Sequence, residues 1–271
     1  MIRKSGSKIN YKFINNGSSQ NTILLHGILG NHRNLTVLTT DNLLKSYTNF
    51  WMLDLRNHGN SFHSESNKIS DHVNDIIEFI EMNNIKNISI VGHSFGGRIG
   101  IEASLLYPKY VDKLCLLDIG PYDYNTNNSE DNSTKNIILN LNNIDLKKGY
   151  ENAKTEITRI ANNNTQIAGF FLTNLIQDNN ELRWRCNMES LANNIDDIIS
   201  YKFSDKVYLN PVKVIAGSKA KFVNPQELDI YKKYFPCIDF FQDFKFLDAG
   251  HWIHFERPDE VKENILEFLK L

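Results

Sequence analysis

Short apolar runs alternate with amphipathic stretches through the first 120 residues. Thr22-Ile23-Leu24-Leu25, Asn49-Phe50-Trp51-Met52-Leu53, Ile88-Ser89-Ile90-Val91 and Lys113-Leu114-Cys115-Leu116-Leu117 each stop at a small or polar residue: His26-Gly27, Asp54, Gly92 and Asp118. Runs of this kind, apolar at nearly every position, are strands covered on both faces, as in a parallel sheet. Ile9 to Ile14 alternates instead and reads as an edge strand. Between the runs lie helical periods. One is capped by Ser70 or Asp71 and carries its apolar face on Val73, Ile76, Ile77 and Ile80; another spans Gly96 to Tyr107 and is stopped by Pro108. Alternating strands and helices predict an α/β fold wound by right-handed crossovers.

The pattern then breaks. Tyr124 to Asn143 is dense in Asn, Ser, Asp and Thr and predicts a polar loop; from about Lys147 to Ser200 the period is helical, with no strand-like run. Strands return at Val212-Lys213-Val214-Ile215-Ala216 and Phe244-Lys245-Phe246-Leu247. A helix over Asp259 to Leu271, opened by Pro258, turns Val261, Ile265, Phe268 and Leu269 inward. The simplest organisation is a core of residues 1–122 and 206–271 with a helical cap, 123–205, inserted over the carboxyl ends of the strands, where open α/β sheets bind ligands.

The chemistry begins at Gly92-His93-Ser94-Phe95-Gly96, a G-x-S-x-G sequence lying directly after a strand and directly before a helix. A serine on so sharp a turn needs small residues two positions either side, and the turn lifts its hydroxyl clear of the sheet. A hydroxyl is a poor nucleophile until a base takes its proton. His251, in Asp248-Ala249-Gly250-His251-Trp252, lies after the last strand and has the chain order this fold requires of the base. An oxyanion on the attacked carbon needs two fixed donors, and the backbone N–H groups of Phe95 and Ile28 are the candidates; Ile28 lies in the turn His26-Gly27-Ile28-Leu29-Gly30.

The sequence resembles α/β-hydrolase-fold serine esterases, most closely the subgroup of bacterial YbfF and the eukaryotic abhydrolase-domain-11 proteins. The resemblance rests on Leu24 to Asn34, on Asp54-Leu55-Arg56-Asn57-His58-Gly59-Asn60-Ser61, on Gly92 to Gly97 and on Gly250 to Pro258; Leu117 to Pro121 and Trp184-Arg185-Cys186-Asn187 extend it. It implies hydrolysis of acyl esters or thioesters through an acyl-enzyme, without metal or cofactor. The usual acid of such a triad follows the strand after the cap, in G-x-x-D-x-x-V; here Gly217 to Val223 puts Ala220 at that place. Alanine cannot orient an imidazole. Asp118, one strand earlier, is the expected acid, with Asp196, Asp197, Asp243 and Asp248 as weaker rivals. Asp54, Arg56 and His58 are expected to form a structural loop held by an Asp54–Arg56 pair.

His26, His93, Trp184 and Trp252 are the substrate-binding candidates, with Phe95 a further pocket wall. The stripe Phe170, Phe171, Leu172, Leu175 and Ile176, at helical spacing, either lines an acyl pocket or packs a cap helix. Within the same fold, a cofactor-free haloperoxidase or a C–C hydrolase would use the same triad. A non-catalytic ligand-binding protein is the reading from another class.

Composition changes this picture little. The chain has 271 residues, 41% of them hydrophobic and 23% charged, with a formal net charge of −2. Neither nucleic acid nor an anionic membrane is implied as a partner. Cys115, Cys186 and Cys237 are odd in number and far apart, which predicts free thiols in a reducing compartment. The N-terminus has no signal-peptide apolar region, and no apolar run approaches the roughly 20 residues that span a bilayer. A cytoplasmic protein is expected, with organellar import left open.

Overall fold

The computed structural model describes residues 9–124, 131–179 and 181–271. Seven strands, β1 (Tyr11–Ile14), β2 (Asn21–Leu25), β3 (Asn49–Leu53), β4 (Ile88–His93), β5 (Lys113–Leu117), β8 (Val212–Gly217) and β9 (Phe244–Leu247), form one sheet ordered β1-β3-β2-β4-β5-β8-β9. β1 pairs antiparallel with β3 at the edge; every other pairing is parallel. This is the expected α/β-hydrolase architecture, a mostly parallel sheet flanked by helices.

The strands read as continuous apolar runs because both faces are covered. Side chains alternate across the pleat. Leu25, Ile90, Leu114, Leu116 and Val214 face one core with α2 (Ile69–Met82) and α3 (Phe95–Leu106). Leu24, Val91, Cys115, Leu117 and Ile215 face a second core with a 3-10 segment (His32–Thr39) and α10 (Pro258–Lys270). Two short helices, α1 (Asn42–Tyr47) and α9 (Ile253–Glu256), lie on this second side, and α8 (Asp229–Tyr234) brings Tyr231 and Tyr234 to the first.

Between β5 and β8 the chain leaves the sheet and builds α4 (Asp131–Asn142), α5 (Tyr150–Ile160), α6 (Thr165–Leu172), a hairpin of β6 (Leu175–Asp178) and β7 (Glu181–Trp184), and α7 (Met188–Ile199). This insertion has a core of its own around Ile138, Leu141, Ile157, Phe171 and Leu191.

Three local expectations are corrected. The Asn-rich stretch is not all loop: α4 forms because Ile138 and Leu141, three apart, are buried in the cap core with Ile195 and Ile199 of α7. The part of the expected loop at 125–130 lies outside the described residues. The cap also contains strands. Asn179 takes the left-handed conformation (φ 48°) that a tight hairpin turn demands, so Leu175 and Ile176 belong to β6 and not to a helical stripe. Finally, α2 starts at Ile69, one turn position before Ser70; Lys68 stands at its N-cap without a side-chain cap, and the Asp71 carboxylate instead accepts the Ser66 hydroxyl.

Candidate active site

β4 and β5 end side by side, and Ser94 and Asp118 follow directly at their ends. Ser94 follows β4 with φ 51° and ψ −119°, a backbone state few L-residues adopt. It is held there from both sides: the Ser94 N–H donates to Leu117 O at 3.1 Å, and Ser94 O accepts the N–H groups of Gly97 (2.9 Å) and Arg98 (3.1 Å) as α3 begins. The flanking glycines are sterically required. A Cβ on Gly92 would come within 2.6 Å of Gly96 O, and one on Gly96 would strike the Leu25 carbonyl of β2.

Asp118 follows β5, also at positive φ (50°), with its side chain fully buried. Its Oδ1 accepts the Gly217 N–H at 2.8 Å, and its Oδ2 stands 2.7 Å from His251 Nδ1. A carboxylate beside Nδ1 holds the proton on that nitrogen and leaves Nε2 free as acceptor. Ser94 and His251 line one cavity of about 320 Å³. Among the described residues no hydrogen bond joins the Ser94 hydroxyl to His251, a looseness common in free enzymes and closed by substrate.

The Ile28 and Phe95 N–H groups donate to no protein acceptor among the described residues, while the neighbouring Gly30 N–H closes a turn onto Gly27 O at 2.9 Å. Phe95 opens α3, where backbone N–H groups lack helical partners. Ile28 lines the same cavity as Ser94, and Phe95 adjoins Ser94 in the chain.

The four substrate-binding candidates fare differently. Trp252 lines the cavity and meets Phe170 of α6, ring centres 6.0 Å apart. His26 and His93 border the cavity but are buried and engaged. His26 Nδ1 donates to Gly27 O (2.8 Å) while its Nε2 accepts the Leu55 N–H (3.0 Å); His93 Nε2 donates to the backbone carbonyl of His251 (3.0 Å). Burial pushes both imidazoles below the ordinary histidine range, so both are neutral. Trp184 is on β7 and packs into the cap core, away from the cavity wall. Phe95 is buried against His72 and His58 beneath the site. From the cap, Ile137, Ile138, Ile167, Phe170 and Phe171 supply apolar wall.

Three of the four rival acids are occupied elsewhere: Asp196 pairs with Lys135, Asp248 with Lys219 and Arg257, and Asp243 accepts the Asp239 N–H; the fourth, Asp197, is exposed on α7. The expected Asp54–Arg56 pair is also absent. Two residues apart on a loop, the side chains diverge; Arg56 forks onto Asp75 of α2 (2.6 and 2.7 Å), and Asp54 accepts from His32 and from the Asn60 N–H. The two contacts tie this loop to the segment after β2 and to α2. Among the described residues no group of three or more His, Cys, Asp or Glu gathers into a metal site, and the three cysteines are free. No helix there is long and apolar enough to cross a membrane.

A serine on a strand-to-helix turn, lining one cavity with a histidine paired to a buried carboxylate, is an arrangement found in hydrolases, and sequence comparison agrees. A model of the alpha/beta hydrolase fold family matches residues 23–258. The chain belongs to that family. Over 95% of its length it is 26% identical to a protein of Danio rerio named as an sn-1-specific diacylglycerol lipase, covering 81% of that protein. A Haemophilus influenzae protein described as a putative esterase/lipase is 28% identical over 97% of this chain and 88% of its own. Among solved structures, a marine microorganism esterase superposes with a TM-score of 0.87 at 28% identity, covering 96% of this chain and 98% of that one.

Phe222 was not anticipated from the sequence. It lines the cavity and lies against His251, and no local signal marked it, because the approach is set by the packing of the β8 loop and not by a motif.

Proposed function

We infer that this chain is a serine hydrolase of carboxylic esters or thioesters that works through an acyl-enzyme. The observation that carries the reading is the Asp118 Oδ2–His251 Nδ1 contact of 2.7 Å beside the strained Ser94. In the first half-reaction Ser94 Oγ attacks the acyl carbon while its proton passes to His251 Nε2. Asp118 stabilises the imidazolium, and the Ile28 and Phe95 N–H groups receive the oxyanion. His251 then protonates the leaving alcohol or thiol. Water repeats the sequence in the second half, releasing the acid and restoring Ser94.

The apolar wall from α4 and α6 favours an apolar acyl group, in keeping with relatives named as a lipase and as an esterase/lipase. In this reading 1–122 and 206–271 form the catalytic core, and 123–205 is a cap that chooses the substrate. The test is labelling by a fluorophosphonate probe, which reports an activated serine. Labelling of the wild type that disappears in Ser94→Ala is expected, together with turnover of p-nitrophenyl esters or acyl-CoA thioesters. A folded wild type that takes no label would instead make the protein a binder.

A further inference from the structure

After β8 the chain runs through Ser218-Lys219-Ala220-Lys221 to Phe222 along the cavity edge. Ala220 cannot help the base, but two residues on, the Phe222 ring lies nearly flat on His251, with ring centres 3.9 Å apart and planes 28° from parallel. The other aromatic neighbours of His251 are further and more inclined: His93 at 4.7 Å and 41°, Trp252 at 5.8 Å and 64°. Phe222 is braced from behind. Its carbonyl accepts the Tyr124 hydroxyl at 2.8 Å, that hydroxyl accepts the Gly120 N–H at 3.0 Å, and the Arg98 guanidinium lies 5.1 Å over the Tyr124 ring. Next in the chain, Val223 is buried.

We propose that Phe222 is a positioning residue for His251, fixing the plane of the imidazole and favouring the imidazolium that forms when Ser94 gives up its proton. This rests on the reading of His251 as the general base. The face of a benzene ring is electron-rich, so it attracts a cation stacked on it more strongly than it attracts the same ring uncharged. An interaction that strengthens when the base is protonated is strongest in the transition state, which is where it accelerates the reaction.

The groups around His251 leave room for this effect. Asp118 faces it from the end of β5 and His93 from the end of β4, while His254 of α9 lies against the His93 ring and within electrostatic reach. Burial keeps His93 and His254 neutral, so neither adds charge. On the loop of Phe222 itself, Lys219 is paired with Asp248 at 2.8 Å, and the exposed Lys221 is the adjoining residue. The proton taken from Ser94 thus rests on a ring held by a carboxylate at its edge and a π face on its flat side.

A residue that only shaped the pocket would change substrate affinity and leave the titration of the base alone. The experiment is steady-state hydrolysis of p-nitrophenyl butyrate from about pH 5 to about pH 9 by wild type, Phe222→Leu and Phe222→Trp. Leucine keeps the site dry but removes the face. It is expected to lower kcat about tenfold, leave KM within about twofold, and move the acid limb of kcat/KM about half a unit to lower pH. Tryptophan, the best cation acceptor among the aromatics, is expected to restore kcat to within about threefold and to return the limb to the wild-type position or above it. An unmoved limb with a loss confined to KM overturns the proposal. So does a well-folded Trp variant whose limb lies clearly below that of the wild type, a comparison that stands even where the Leu variant does not fold. Fluorophosphonate labelling of the wild type separates the two levels: no label removes the base and this inference with it, whereas labelled wild type with an unmoved limb removes only Phe222.

Discussion

The Asn57 side-chain amide donates to the Ser190 hydroxyl at 3.1 Å, joining the loop after β3 to helix α7 of the cap. Asn57 holds more than this one bond. Its Nδ2 also reaches Ser66 O and Asn67 Oδ1, its Oδ1 accepts the Ser64 N–H at 2.7 Å, and its carbonyl accepts the Asn187 N–H at 2.9 Å. The backbone is left-handed (φ 63°), where asparagine is tolerated and glycine is at ease.

Asn57→Gly therefore relaxes the backbone but strips the joint of its side-chain bonds. Each such bond contributes about 1 kcal/mol net, and the backbone relief returns about 1 kcal/mol. A net loss of about 1–3 kcal/mol is expected, read as a melting temperature lower by several degrees. A variant as stable as the wild type would mean that the cap is held elsewhere, by contacts such as Asn174 Nδ2 on Leu29 O at 2.6 Å.

Asp118→Asn keeps an oxygen for the Gly217 N–H but offers His251 an amide in place of a carboxylate. Turnover of p-nitrophenyl butyrate is expected to fall by about 10²–10⁴-fold with little change in melting temperature, since the tautomer is lost and the packing is not. Activity within about threefold of the wild type would place the acid at another residue.

Five histidines should make the fold acid-sensitive before its carboxylates titrate. Burial drives His58 and His254 down to about 3, and lowers His26, His72 and His93 as well. A histidine depressed in the folded state binds its proton first in the unfolded chain. Stability is then complete above the unfolded value of about 6.5 and drains away as pH falls below it, by up to about 1.4 kcal/mol per pH unit for each group. Melting temperature should decline steeply from about pH 6.5 to about pH 5. Asp54 adds a later phase. Burial alone would raise its carboxyl, but the hydrogen bond from His32 and the N–H groups of Asn60 and His32 outweigh it and hold the group low. Its contribution is lost only below about pH 4. A melting temperature constant between about pH 7 and about pH 5 would contradict the buried neutral histidines.

The legible parts of this molecule are those whose physics is local. A strand buried on both faces must be apolar along its whole length, so β2 to β5 stand out, and a nucleophile turn must carry glycines at fixed offsets, so Gly92 and Gly96 frame Ser94. Helix α4 was hidden because its few inward residues, Ile138 and Leu141 among them, are interleaved with asparagines such as Asn136, Asn140 and Asn142 on the solvent side. The β6–β7 hairpin was hidden because its strands are four residues each and half exposed, leaving only Asp178-Asn179 as a turn signal. Phe222 and the Arg56–Asp75 fork depend on which loop passes which helix, and no spacing within either segment encodes that.

The position of Asp118 before the insertion, and not after it, has a consequence for the history of the chain. The Ser94 N–H is bonded to Leu117 O, so the proposed nucleophile and acid are fixed to each other through two neighbouring strands, and the 93 residues between Asp118 and Val212 form an excursion that starts only once this pair is in place. Lengthening or shortening that excursion changes loop-closure entropy only logarithmically and leaves the pair untouched. A lineage whose acid precedes its cap can rebuild the cap freely, adding a hairpin here or an asparagine-rich helix there, while the chemistry beneath keeps its register.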